Sequence, residues 1–93
     1  MLNIGIICKE HANERYTKFQ SENIGRKLNI GEFVKIPIKD ENATEHLWFE
    51  VTEIIGIDKY KGFCTNFPIL VTIIKQNSVL EFEFTDVEQI YPE

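Results

Sequence analysis

The side chains best suited to chemistry in this sequence are two thiols and two imidazoles: Cys8, His11, His46 and Cys64. They have the composition of a Cys2His2 zinc set, and Cys8-x2-His11 has a ligand-like spacing. His46 and Cys64 lie 18 residues apart with no knuckle pattern around either, so half of such a site has no support. A Cys–His nucleophile requires a partly exposed thiol whose anion is favoured. Cys8 follows Ile6 and Ile7, which predicts an apolar, inert thiol. Cys64 has Lys61 nearby but neither a glycine elbow nor an oxyanion donor set. The residues therefore predict buried free thiols and solvent-facing imidazoles, with no metal, no cofactor and no enzymatic constellation.

Carboxylates come next, as Asp40-Glu41, Glu50 with Glu53, and Glu81 with Glu83. Glu81 and Glu83 share a face if their segment is a strand, because side chains alternate with period two. Such a face is either a solvated exterior or a site for a cation or a basic partner. Glycosidase chemistry would add a sugar cleft with an aromatic floor, for which a domain of 93 residues has little room. The candidate nucleic-acid patch is Arg15, Lys18, Arg26 and Lys27, with Trp48 or Tyr60 as a stacking platform. Fifteen Asp and Glu against ten Lys and Arg give a net charge of -5, which opposes phosphate binding.

These groups must be held by one domain, since a chain of 93 residues is too short to split. Residues 1–39 carry seven Lys/Arg and four Asp/Glu, net +3, and residues 40–93 carry three and eleven, net -8. That is a dipole across a single core. With 43% hydrophobic and 27% charged residues the composition excludes a disordered tail and a collagen-like chain. No apolar run approaches the roughly 20 residues needed to span a bilayer as a helix. The N-terminal apolar run is short and lacks a basic start and a small residue before a cut, so the expected location is the cytoplasm, away from membranes. Two cysteines there would remain reduced.

Residues 1–30 are expected to form an N-terminal extension containing a short helix, and 31–93 a β core. Ser21 can cap a helix over 21–29, in which Ile24 and Leu28 share a face and Gly31 follows as a stop. Tyr16 and Phe19, spaced i, i+3, give a weaker helical signal upstream. Beyond Gly31 the period becomes two. Val34, Ile36 and Ile38 share a face, and Pro37 predicts an edge strand because it lacks a ladder donor. Leu47, Phe49 and Val51 alternate with Trp48, Glu50 and Thr52 in the strongest strand. Gly56 and Asp58 turn the chain into a partner strand over 59–65. Ile69 to Ile74 reads as a short buried strand. Leu80, Phe82 and Phe84 alternate with Val79, Glu81 and Glu83, and residues 85–88 read as a helical turn before Ile90-Tyr91. About five short strands predict a mainly β fold: a small SH3-like barrel or a strongly curved antiparallel sheet, curled to hide its apolar face. Phe33, Phe49, Phe82 and Phe84 are expected in the core, and Trp48 also if the 21–29 helix covers it.

Three segments carry a resemblance. They are Leu28-Asn29-Ile30-Gly31-Glu32-Phe33-Val34-Lys35-Ile36, then Glu45-His46-Leu47-Trp48-Phe49-Glu50-Val51-Thr52-Glu53-Ile54, then Gly62 through Asn66 with Pro68. Over about Leu28–Ile90 the chain resembles the YegJ-like group, a bacterial family of uncharacterised domains. Asn77-Ser78 stands where that family has Gly-Asp, and Phe67 stands where it favours an acidic residue. The resemblance implies a small β-rich domain and brings no catalytic residues. By analogy with small bacterial domains found beside secreted toxins, an immunity-type role is one version of its function.

The expected function is a non-enzymatic protein-interaction module. Trp48 would anchor the partner, and Glu50, Glu53, Glu81 and Glu83 would present an acidic face to an unidentified basic protein. The alternative is a nucleic-acid-binding SH3-like module using the basic N-terminal segment. The chain would act as a monomer or as a homodimer paired through an open edge at residues 79–84.

Overall fold

The computed structural model describes residues 6–10 and 13–92. It contains one helix, α1 (Glu14–Glu22), and five strands: β1 (Phe33–Lys39), β2 (Thr44–Gly56), β3 (Lys59–Cys64), β4 (Val79–Glu83) and β5 (Gln89–Tyr91). A 3-10 turn, Phe84–Asp86, separates the last two strands. All strands are antiparallel neighbours in one sheet of order β4-β3-β2-β1-β5. β4 and β5 do not pair, so the sheet is open, and of the two expected forms the closed barrel is not adopted.

The alternation read from the sequence sorts the two faces. Val34, Ile36, Ile38, Leu47, Phe49, Val51, Tyr60, Cys64, Leu80, Phe82 and Ile90 point inward and are buried. Their apolar surface is the main force holding the fold, at roughly 1.5–3 kcal/mol for each large side chain removed from water. A single sheet leaves that face needing a lid. The lid is made by Ile6 and Ile7, Leu28, the 71–74 segment through Val71 and Ile74, and Phe84 with Val87. Ile7 forms a lone bridge to Ile38, and Leu28 is anchored by its N–H donating to the Tyr60 hydroxyl at 3.2 Å. The segment preceding residue 31 therefore contributes directly to the core.

Several expectations are corrected. The helix spans Glu14–Glu22, not 21–29. Asn13 caps it, accepting from the Tyr16 N–H at 2.7 Å, and Gly25 in the left-handed region (φ 80°) turns the chain away after Asn23. Ser21 is no N-cap; it donates to the Lys18 carbonyl, and Ile24 is 86% exposed. The helix is fixed from outside. Tyr16 donates to the Thr85 carbonyl, Gln20 donates to the carbonyls of Phe84 and Val87, and Phe19 stacks on Phe84. The i, i+3 pair of Tyr16 and Phe19 was the informative signal.

β1 is an inner strand, between β2 and β5, despite Pro37. β5 pairs only with Phe33, Val34 and Lys35, and beyond it the Pro37 carbonyl accepts from the Cys8 N–H at 2.9 Å. The proline nitrogen points to that same side, away from β2, where no strand among the described residues asks it for a hydrogen bond. Residues 69–74 form no strand. Ile69, Leu70 and Ile73 are exposed, while Val71 and Ile74 dip into the core. Phe49, Phe82 and Phe84 are buried as expected, whereas Phe33 lies half-buried on the outer face.

Candidate functional site

The outer face of the sheet is built by cross-strand register. Phe33 sits opposite Glu50 and Tyr91, Lys35 opposite Trp48, and Phe63 opposite Glu50 and Val79. Directly opposed residues share a face. Strict alternation along β2 would next place Thr52 there. A bulge between Val51 and Glu53 resets the phase, so that Glu53 pairs with Lys61. Lys61 in turn faces Glu81, and Lys59 faces Glu83. Trp48, Glu50, Glu53, Glu81 and Glu83 thus lie on one side of the sheet. The four carboxylates there are interleaved with Lys35, Lys59 and Lys61, which moderates their field.

This face has two ends. Across β3, β4 and the far part of β2 lie the rows Glu53–Lys61–Glu81 and Lys59–Glu83. Across β5, β1 and the near part of β2 is an apolar depression of about 350 Å³ lined by Phe33, Trp48, Thr65, Asn66 and Tyr91. Trp48 is half-buried, and α1 does not cover it, so the covered, fully core position considered for it is not adopted. It meets Tyr91 edge-on with ring centroids 6.5 Å apart, and the Lys35 ammonium lies 5.7 Å from its ring centre. Its backbone is tied to the 65–66 segment. The Trp48 N–H donates to the Asn66 side-chain oxygen at 2.5 Å, and its carbonyl accepts from the Thr65 N–H at 2.9 Å. Among the described residues, no group accepts the Trp48 indole N–H.

The apolar 67–73 loop begins at the wall of this depression. Phe67 is 77% exposed and Ile69 84%. Two carboxylates, Glu45 and Asp40, hold the loop's backbone. Glu45 accepts from the N–H groups of Ile69, Leu70 and Val71, the shortest at 2.7 Å. Asp40 accepts from Thr72 at 2.7 Å and Ile73 at 3.3 Å, and also from Asn42 and Ala43 in its own turn. The Thr72 N–H, then the others, hold Asp40 below its usual carboxylate range. Partial desolvation pushes Glu45 up, but its three backbone donors outweigh that and leave it lowered as well.

Folded-state values below the unfolded ones, about 3.9 and 4.3, give a stabilisation complete above those values. It is lost as pH falls through the folded values. Acidification below about pH 4 is therefore expected to reduce amide-exchange protection at residues 69–73 before it affects β2. Uniform loss along the chain would contradict this pinning.

The remaining candidates behave differently. Cys8 and Cys64 are free and buried. Burial, with the Glu45 charge adding to it, pushes the Cys64 thiol up, which disfavours a nucleophilic thiolate. His46 Nδ1 lies 2.5 Å from Glu88 Oε1, in a notch shared with Asn13, Arg15 and Lys35. His11 lies outside the described residues, and among those described no three His, Cys, Asp or Glu side chains converge as a metal site would require. Tyr60 is buried and stacked on Phe82, so it cannot serve as a base-stacking platform. Arg26 is engaged by Glu32 at 2.5 Å, leaving the proposed basic patch divided.

Sequence reading missed the roles of Glu45, Asp86 and Glu88, the last two buried carboxylates, and of Asp40 it named only the pairing with Glu41. Their long-range partners lie about 25 to 77 residues away along the chain, where no local pattern announces them. No helix among the described residues is long and apolar enough to cross a membrane. Comparison with family models, curated proteins and solved structures finds no match to this chain.

Proposed function

We propose that the chain is a non-enzymatic protein-interaction module that docks its partner on the outer face of the sheet. One observation carries this reading. A continuous open face sets Phe33, Trp48, Phe63 and Tyr91 beside Glu50, Glu53, Glu81 and Glu83, and leaves the aromatic rings accessible. Trp and Tyr with an apolar body and an unused polar tip are favoured anchors at protein interfaces. The carboxylate rows select a partner with basic groups spaced to meet them, and the interleaved lysines add register to that selection. An immunity-type role, masking a basic groove, is one version of this. Kinship with the YegJ-like group belongs to the same proposal and rests on residues 28–90.

Affinity capture from extracts of the native cell tests the reading, with Trp48→Ala and the pair Glu81→Gln, Glu83→Gln run in parallel. Basic proteins retained by the wild type are expected to be lost from both variants. Capture that survives both changes overturns the assignment of this face.

A second reading, binding of single-stranded nucleic acid, draws on Lys35 over the Trp48 ring and Arg15 in the neighbouring notch. Oligonucleotide titration at low and high salt separates the two. The interaction-module reading expects no saturable binding even at low salt, whereas tight binding that weakens steeply with salt would favour nucleic acid.

A further inference from the structure

We propose that the aromatic depression is filled by the 67–70 loop of a second copy of this chain, in a two-fold symmetric dimer. The inference rests on the outer face being a protein-docking surface: in the absence of the basic partner a second copy occupies the aromatic end, and the partner displaces it. Phe67, Ile69 and Leu70 project from one short loop, 77%, 84% and 56% exposed, while the depression formed by Phe33, Trp48, Thr65, Asn66 and Tyr91 stands open. An exposed apolar knob and an apolar socket, each unpartnered among the described residues, are complementary in chemistry.

Their adjacency decides the occupant. The knob begins one residue beyond Asn66, which is itself a wall of the socket. A two-fold axis beside Asn66 therefore brings each knob to the other copy's socket, which is the self-complementarity an isologous interface demands. The knob is also pre-organised, because Glu45 and Asp40 already hold the backbone N–H groups of residues 69–73. Little ordering remains to be done on association. Charge agrees across the joint, with Lys35 beside the socket and two carboxylates beneath the knob. The alternative of edge pairing through β4 fits less well, since a register centred on Glu81 sets that carboxylate against its own copy.

Sedimentation from about 1 µM to about 1 mM, the range over which a modest interface dissociates, tests the proposal. The mass is expected to rise from 10.9 kDa to twice that value. Phe67→Ser with Ile69→Ser, and separately Trp48→Ala, are each expected to weaken self-association roughly thirtyfold or more. Circular dichroism checks that both variants stay folded. Mixing the knob variant with the socket variant restores one intact knob–socket pair and is expected to yield a heterodimer where neither variant alone dimerises.

A monomer throughout the range, or a dimer indifferent to these substitutions, overturns the proposal. If the monomer still captures basic proteins through Trp48 and Glu81/Glu83, the dimer fails and the docking-face reading stands. If capture is also indifferent to those residues, both fail.

Discussion

Gly62→Ala is expected to destabilise the fold by about 2–3 kcal/mol, the upper part of the range for forcing an atom into a packed core. A Cβ at position 62 would lie 2.7 Å from the Glu50 carbonyl oxygen and 3.3 Å from Cε1 of Phe82. Neither neighbour yields easily. The carbonyl belongs to the backbone of β2 beside the bulge that re-phases Glu53, and Phe82 is stacked on Tyr60 with centroids 5.8 Å apart. Tyr60 in turn is held by the Leu28 N–H. Relief therefore requires β2 and β3 to separate where the outer face is set. Urea unfolding is expected to show a lower midpoint with an unchanged slope. Gly56→Ala serves as the control, because its nearest neighbour would be the Lys59 Cβ at 3.8 Å. Equal losses at the two positions would refute the close approach of β2 and β3.

Asp86→Ala is expected to cost about 2–3 kcal/mol, through a mechanism that is polar instead of steric. Asp86 is 2% exposed; one oxygen lies 2.5 Å from the Lys9 ammonium and the other accepts from the Glu83 N–H at 2.9 Å. Truncation strands that N–H at the entrance to the 3-10 turn and releases the segment that carries Ile6 and Ile7 over the core. Lys9 itself is mostly exposed, so Lys9→Met should cost less than about 1 kcal/mol. Asp86→Asn, which keeps an acceptor for Glu83, is expected to fall between the two in thermal or urea unfolding. If Lys9→Met costs as much as Asp86→Ala, the ion pair and not the cap carries the effect.

Both residues mark the boundary of what the sequence makes legible. β2, β3 and β4 were readable because burial on one face imposes period two, and Leu47, Phe49, Val51, Leu80 and Phe82 obey it. The bulge at Thr52 was not readable, yet it carries Glu53 onto the face of Glu50. The period also fails at Ile69–Ile74, whose six residues look like a buried strand. The backbone N–H groups of residues 69–73 go to Glu45 and Asp40, leaving only Val71 and Ile74, three apart, to the core and the other side chains to solvent. Helix placement failed for a similar reason. Ser21 and Ile24 form a plausible local start, but the docking of Tyr16, Phe19 and Gln20 onto residues 84–87 outweighs it. Of the candidate site, Trp48, Glu50, Glu81 and Glu83 were nameable from alternation, whereas Glu53 reaches the face only through the bulge. Phe33, Tyr91 and Asn66, which turn Trp48 into a depression, depended on pairings the chain does not announce locally.

The outer face of the sheet is the surface on which this protein is expected to meet others. Hydroxyl-radical footprinting compares the free, dilute chain with the chain in its captured complex and reads that surface directly. Oxidation at Trp48, Phe63 and Tyr91 is expected to drop in the complex, while Ile24 and Ile57, exposed residues outside this face, stay as reactive as before. Unchanged oxidation at Trp48 and Tyr91, with protection appearing along α1 instead, would contradict it.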